Sequence, residues 1–193
     1  VDNGKESVLG IAELTTRAPS RITKKGTTYT VEPGMDVQKF FKETDLGPGD
    51  IVIFEDGVYG EKELGEPEKE GDFPSLTIKD SGEWNNMLVI RARNPGKVSM
   101  PLMSTTGDNL HVDGINLYGN PAATQNSEAP YTSLHVGGHN NVFSNMEISN
   151  SVKLVLVKEV NGATFDNIHF KGWKGGGILS ARLPDGNGGE VKY

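Results

Sequence analysis

The sequence predicts an all-β chain wound as a right-handed parallel β-helix with an N-terminal capping helix. Two observations carry this reading. First, three segments are variants of one another: NLHVDGINLYG from Asn109, NVFSNMEISNS from Asn141 and ATFDNIHFKGW from Ala163. Each sets short alternating apolar pairs around a small or polar corner, Gly114, Asn145 or Asn167. Val112, Phe143 and Phe165 stand two residues before the corner, and Ile115, Met146 and Ile168 one after it. The later corners are 22 residues apart (167 − 145) and the earlier ones 31 (145 − 114), the excess fitting a loop, PAATQNSEAP, from Pro121 to Pro130. Second, apolar positions inside each unit recur every two residues with no helical stripe. A period of this size built on two-residue alternation is a solenoid of short strands. Its coils cannot bury their own apolar side chains, so each stacks on its neighbours.

Taken in order, residues 1–28 read as an N-terminal arm and 29–193 as the β-helix, incomplete at its C-terminal end. Within the arm, VLGIAEL (Val8 to Leu14) is the one apolar patch. TTYTV (Thr27 to Val31) alternates like a strand. Val37, Phe40, Phe41 and Leu46 then fall at helical spacing, and Gly47–Pro48–Gly49 ends the run. A helix at this point covers the open end of the first coil, whose core and strand edges would otherwise meet water. GDIVIFEDGVYGE (Gly49 to Glu61) is a strong strand with a turn at Asp56–Gly57. The charged stretch that follows reads as a solvated loop: Lys62 and Lys69 interrupt its carboxylates, and the spacing of a calcium loop is missing. SLTIKDSG (Ser75 to Gly82) and NMLVIRARNPGKVSM (Asn86 to Met100) resume strands, turning at Asn94–Pro95–Gly96. After the central repeats come KLVLVKEVNG (Lys153 to Gly162) and GGGILSARL (Gly175 to Leu183). Leu134, Leu156 and Ile178 follow at 22-residue steps (156 − 134; 178 − 156), the spacing expected of an inward aliphatic stack.

Composition bounds the function. The 193 residues hold 25 glycines, suited to frequent sharp corners, and no cysteine, which excludes disulfide and thiol chemistry. A net charge of −7 argues against nucleic acid, whose phosphates want a basic face. It leaves room for an anionic glycan, because a local basic groove can sit on an acidic protein. No apolar run is long enough to cross a bilayer. The chain opens at Val1 without a signal sequence, as a processed chain would. The tail PDGNGGEVKY brings no second amphipathic segment, so further coils or another chain are expected to cover that end.

One set of residues in the opening coils forms a pattern of its own: Pro48, Gly49, Asp50, Asp56, Gly57 and Tyr59; Ser81 and Gly82; Ile90, Ala92, Asn94, Pro95, Gly96, Lys97 and Val98; and Leu110, Val112, Gly114 and Ile115. On these residues the chain resembles polysaccharide lyase family 6, the chondroitinase B and alginate lyase group, with its pectate lyase-like solenoid. The resemblance covers roughly residues 36–120 and implies a secreted or cell-surface protein, periplasmic or virion-associated settings included. It further implies action on uronate-containing polysaccharide by β-elimination. In that family an Asn and acidic residues bind calcium, and a Lys base and an Arg complete the site. These lie on later coils, so calcium is implied by the resemblance alone. In KGGGIL, Lys174 stands where the family's segment has the Asn. No catalytic or metal residue is carried over. The same scaffold motifs suit a non-catalytic module for adhesion or assembly, such as a phage tailspike segment or a glycan-binding surface protein.

Elimination needs a cation on the uronate carboxylate and a base of tuned pKa for the C5 proton. The candidates are Lys153, Lys158, Lys171, Lys174, Arg182 and the histidines. His135 faces away from Leu134 on its strand, and Lys158 and Arg182 lie near the ends of neighbouring strands. One outer face can therefore gather His135, Lys158 and Arg182 as substrate contacts, although ordinary solvated side chains are the plainer reading of each. His111 and His169 alternate with apolar residues and are expected to point outward; His139, in GGHNN, is expected at a corner. Asn145 and Asn167 read as a corner ladder rather than sugar ligands. Trp84 and Trp173 are equally suited to sugar stacking and to partial burial. Nucleophile-elbow, zinc and phosphate-loop motifs are all missing, so no other cofactor is implied.

Overall fold

The computed structural model describes residues 22–65, 74–119, 132–151, 153–158, 160–172 and 176–181, the last segment by its backbone. Its elements run β1 (Thr28–Val31), α1 (Val37–Glu43), β2 (Ile51–Phe54), β3 (Gly57–Val58), α2 (Glu61–Leu64), β4 (Ser75–Ile78), β5 (Leu88–Ala92), β6 (Val98–Met100) and β7 (Leu102–Thr105). There follow β8 (Leu110–Asp113), β9 (Ile115–Leu117), β10 (Thr132–Val136), β11 (Asn141–Ser149), β12 (Lys153–Lys158), β13 (Ala163–Lys171) and β14 (Gly176–Ala181). Every pairing between these strands is parallel. One curled sheet runs β1-β2-β5-β8-β11-β9-β6-β3, with β13 also on β11; a second runs β14-β12-β10-β7-β4. The larger sheet folds over on itself because β11 and β13 each continue through a corner, at Asn145 and Asn167.

Three corners per coil have left-handed backbone, a region only glycine and asparagine visit cheaply. They are Asn109, Gly114 and Gly119; Asn140, Asn145 and Asn150; and Gly162, Asn167 and Gly172. Within each coil they stand five residues apart, and between coils every column steps by 31 and then 22. The sequence had pointed only to the middle column. The extra residues of the longer coil fall after the third corner, between Gly119 and Asn140, which brackets the expected loop.

Residues in register fill the interior. Val52, Ile90, Val112 and Phe143 are paired in sequence and fully buried, and Phe165 stacks on Phe143 with ring centroids 5.5 Å apart. On the five-stranded sheet the inward column is Leu76, Met103, Leu134 and Val155, and Val155 pairs in backbone register with Ile178. This corrects the 22-residue stack. Leu156 pairs with His135 rather than Leu134 and is only half-buried, because the steps on this sheet are 21 and then 23 residues.

The N-terminal helix forms as expected. Asp36 caps it by accepting from Lys39 N at 2.9 Å. Val37 and Phe41 are buried, and Phe41 stacks on Phe54 of the first coil at 6.4 Å. The Pro48–Gly49–Asp50 motif is scaffold: the Asp50 carboxylate accepts from Thr27 N at 2.6 Å and Gly47 N at 3.0 Å, tying strand β1 to the turn before β2. Asn86 Oδ1 accepts from Thr23 N and Lys24 N, so residues 22–27 of the expected arm lie against the first coils. The stretch read as a solvated loop instead begins as helix α2. Glu63 turns back to accept from Gly60 N at 3.0 Å, and Leu64 is buried. Residues 1–21 and 66–73 lie outside the described residues, as do the whole tail from 182 onward and the loop at 121–130.

Candidate functional site

Strand β10 carries His135 on the face opposite the buried Leu134 and Val136. Its register neighbours are Ser104 in β7 and Leu156 in β12, and Ser104 pairs in turn with Thr77. Two residues beyond Leu156 on the same face, Lys158 ends β12 and is exposed. The Lys158 charge reaches the His135 ring. Burial holds the His135 imidazole below the ordinary histidine pKa, and the Lys158 charge pushes in the same direction. Both effects disfavour imidazolium. The result is a neutral ring, able to accept a proton or a hydroxyl hydrogen bond, beside an ammonium. Arg182 and Lys174 lie outside the described residues; Arg182 directly follows Ala181, the register partner of Lys158.

Other candidates are spread more widely. Lys153 opens β12 in register with Thr132. His139 is a corner residue, as expected. Its Nδ1 accepts from Asn161 N at 2.8 Å, and its own N–H donates to Asp108. The Asn ladder also forms, but between side chains: Asn167 donates to Asn145 Oδ1 at 2.7 Å, and Asn145 donates to Asp113 Oδ1 at 3.0 Å. Trp84 is 60% exposed, and Trp173 lies outside the described residues.

His111 departs from expectation. It faces away from Val112, as alternation requires, yet is only 5% exposed, and its Nε2 lies 2.8 Å from Ser144 Oγ. Ser144 Oγ donates to Asp113 Oδ1 at 3.1 Å. Serine, histidine and aspartate in contact suggest a nucleophilic triad, but the order is wrong for one. In the arrangement where the serine proton goes to Asp113, Nε2 of His111 is the donor to Oγ, and the ring does not act as base toward that serine. The network satisfies buried polar groups.

Glu147 was missed. It pairs with His169 in register, 22 residues on, with Oε2 3.3 Å from His169 Nδ1 and Oε1 3.9 Å from Lys171 Nζ. The repeat period applied to outward-facing residues would have exposed the pair. Among the described residues no group of three or more histidine, aspartate or glutamate side chains is arranged to hold a metal ion. Among the same residues no helix is long and apolar enough to cross a membrane.

No family model matches the chain, and no curated protein matches it. Among solved structures, a mannuronic acid-specific polysaccharide family 6 lyase from the human gut microbiota is similar over 76% of this chain, at 14% identity and a TM-score of 0.42. The chain spans about half of that structure's length, 52%.

Proposed function

We propose that the chain is a carbohydrate-active right-handed parallel β-helix that binds uronate-containing polysaccharide on the outer face of its five-stranded sheet. One observation carries this reading: a neutral, half-buried His135 beside the Lys158 ammonium on one face. The ammonium pairs with a uronate carboxylate. The imidazole, kept uncharged at neutral pH, accepts from a hydroxyl or takes a proton. Thr77 and Ser104 continue the row with hydroxyl groups toward the N-terminal coils. Arg182, next along from Ala181, is proposed as a further carboxylate contact. Such a polymer is met outside the cell, in keeping with a secreted or surface protein.

If the face also reacts, the carboxylate neutralised by Lys158 acidifies C5 and His135 removes that proton. The C4–O bond then breaks as the C4–C5 double bond forms, and the departing sugar oxygen takes up a proton. The second reading is a non-catalytic binding module. It rests on Lys158 being the one exposed cation beside His135 among the described residues of β10 and β12.

Titration with oligouronates, followed by the His135 imidazole resonances and by ultraviolet absorbance of unsaturated product, tests both. Saturable binding that weakens about tenfold in Lys158→Met supports the face, since contacts to charged groups are worth that much. Absorbance growth lost in His135→Ala selects the lyase; binding without it selects the module. If no oligouronate perturbs His135, the proposal fails.

A further inference from the structure

A different sheet carries a second row of functional groups. Register sets one outward residue per coil along the stacking direction: Ser99, Asn116, Glu147 and His169. The corners Gly96, Gly114, Asn145 and Asn167 run beside it. The first two corners lack side chains and the next two carry short amides. A shallow, wide-open depression of about 460 Å³ lies along the corner, lined by Pro95, Gly96, Asn145, Glu147, Asn167 and His169. Three strand steps of ~4.8 Å make it roughly 14 Å long, room for a short run of pyranose rings.

The groups along it carry both signs of charge. Glu147 is flanked by His169 and Lys171, at 3.3 and 3.9 Å. His169 sets Nδ1 on this carboxylate and turns Nε2, its second hydrogen-bonding nitrogen, away from it. Asn167 gives one amide N–H to Asn145 and carries Oδ1 as an acceptor group. The remaining capacity of Glu147, together with the Lys171 ammonium, completes a set of adjacent donors and acceptors. Vicinal hydroxyls, which donate and accept at once, match that set. A polyanion would meet the Glu147 carboxylate, and a polycation would meet Lys171. We infer that this depression binds an uncharged, hydroxyl-rich glycan lying along the stacking direction, independently of the His135 face.

The test is a titration of the labelled chain with neutral β-1,4-linked hexasaccharides, cellohexaose and mannohexaose, set against an oligouronate of equal length. The expected result is saturable shifts of the His169 imidazole and Asn167 amide with a neutral sugar, while His135 stays still. Glu147→Ala should raise Kd about tenfold, the loss of a charged hydrogen-bond partner. Glu147→Gln, which keeps acceptor and shape, should retain most of the affinity and shows that the loss is not one of folding. Neither neutral sugar moving His169 or Asn167, or the oligouronate moving them more strongly, overturns the inference. Readout at His169 rather than His135 separates this result from the fate of the uronate face.

Discussion

The side-chain amide of Asn167 donates to Oδ1 of Asn145, one coil earlier, at 2.7 Å, and both residues hold left-handed backbone with φ of 51°. Sequence pattern, corner geometry and coil stacking therefore meet at one pair of side chains. A residue at this position must tolerate positive φ and also hand a hydrogen bond to the preceding coil. Asparagine does both; glycine does only the first.

Substitutions at Asn145 separate the two tasks. Asn145→Gly keeps the corner and loses the bonds to Asn167 and Asp113, costing about 1 kcal/mol. Asn145→Ala loses the same bonds and adds the left-handed penalty, about 1–2 kcal/mol more. Denaturant melts of both variants decide it. Equal losses would mean that the corner conformation is not what asparagine is there to support.

The corrected register is tested by a pair of truncations. Leu134 is fully buried and stacks between Met103 and Val155. Leu134→Ala should cost about 2–5 kcal/mol, since it opens a cavity between them. Leu156 is half-buried beside His135, and Leu156→Ala should cost about 1 kcal/mol or less, in proportion to the area it removes from water. The opposite ranking would restore the 22-residue stack.

That correction shows which parts of the fold were legible. From the first corner of a coil to the third, the chain is rigidly metred: Asn140, Asn145 and Asn150 are matched residue for residue by Gly162, Asn167 and Gly172. Side-chain identity is dictated there, so the repeat could be seen. The five-stranded sheet follows the third corner, where turn lengths vary. Val155 comes five residues after Asn150, but position 178 comes six after Gly172. A constant total coil length conceals that single-residue slip, and in a strand one residue exchanges inside for outside.

Tyr59, in the GVYG stretch that carried part of the resemblance, is fully buried, and its hydroxyl lies 3.0 Å from Val31 O and 2.9 Å from Glu55 O. Tyr59→Phe preserves the ring packing against Phe54 but strips these carbonyls of a donor, at a cost of about 1–3 kcal/mol. Burial first, then the charges of Glu55, Glu63, Glu32 and Asp56, push the phenol well above the usual tyrosine range. The unfolded chain therefore ionises this group first as pH rises, and stability should fall on the alkaline side of the ordinary tyrosine value. Melts across that range should show the wild-type advantage over Tyr59→Phe shrinking there. A constant advantage would show that the folded phenol ionises as readily as the unfolded one.

The site was legible only where alternation suffices. Opposite parity to Leu134 put His135 outside. Lys158 was placed there only as a strand-end residue, because its shared parity with Leu156, read as inward, pointed the other way until the register was corrected. Alternation fails for His111, which shares the outward parity but is buried with Ser144. Facing away from the core is a property of the strand, whereas exposure depends on what packs over it, and sequence spacing does not record that.

The last prediction concerns the proton on His135. Burial, and then the charge of Lys158, lowers its pKa. A histidine depressed in this way binds fewer protons folded than unfolded, so stability is fully present above the ordinary histidine value and declines as pH falls through the folded one. Lys158→Gln removes the second cause and leaves the first. The imidazole should then titrate closer to the ordinary value while remaining below it, and the acid-side loss of stability should shrink. Imidazole chemical shifts followed against pH in the wild type and Lys158→Gln measure this directly. Raising the salt concentration should act in the same direction in the wild type, because the Lys158 charge is exposed and can be screened. If the two proteins titrate alike at low salt, Lys158 does not act on His135, and the pairing on which the uronate-binding face depends is lost.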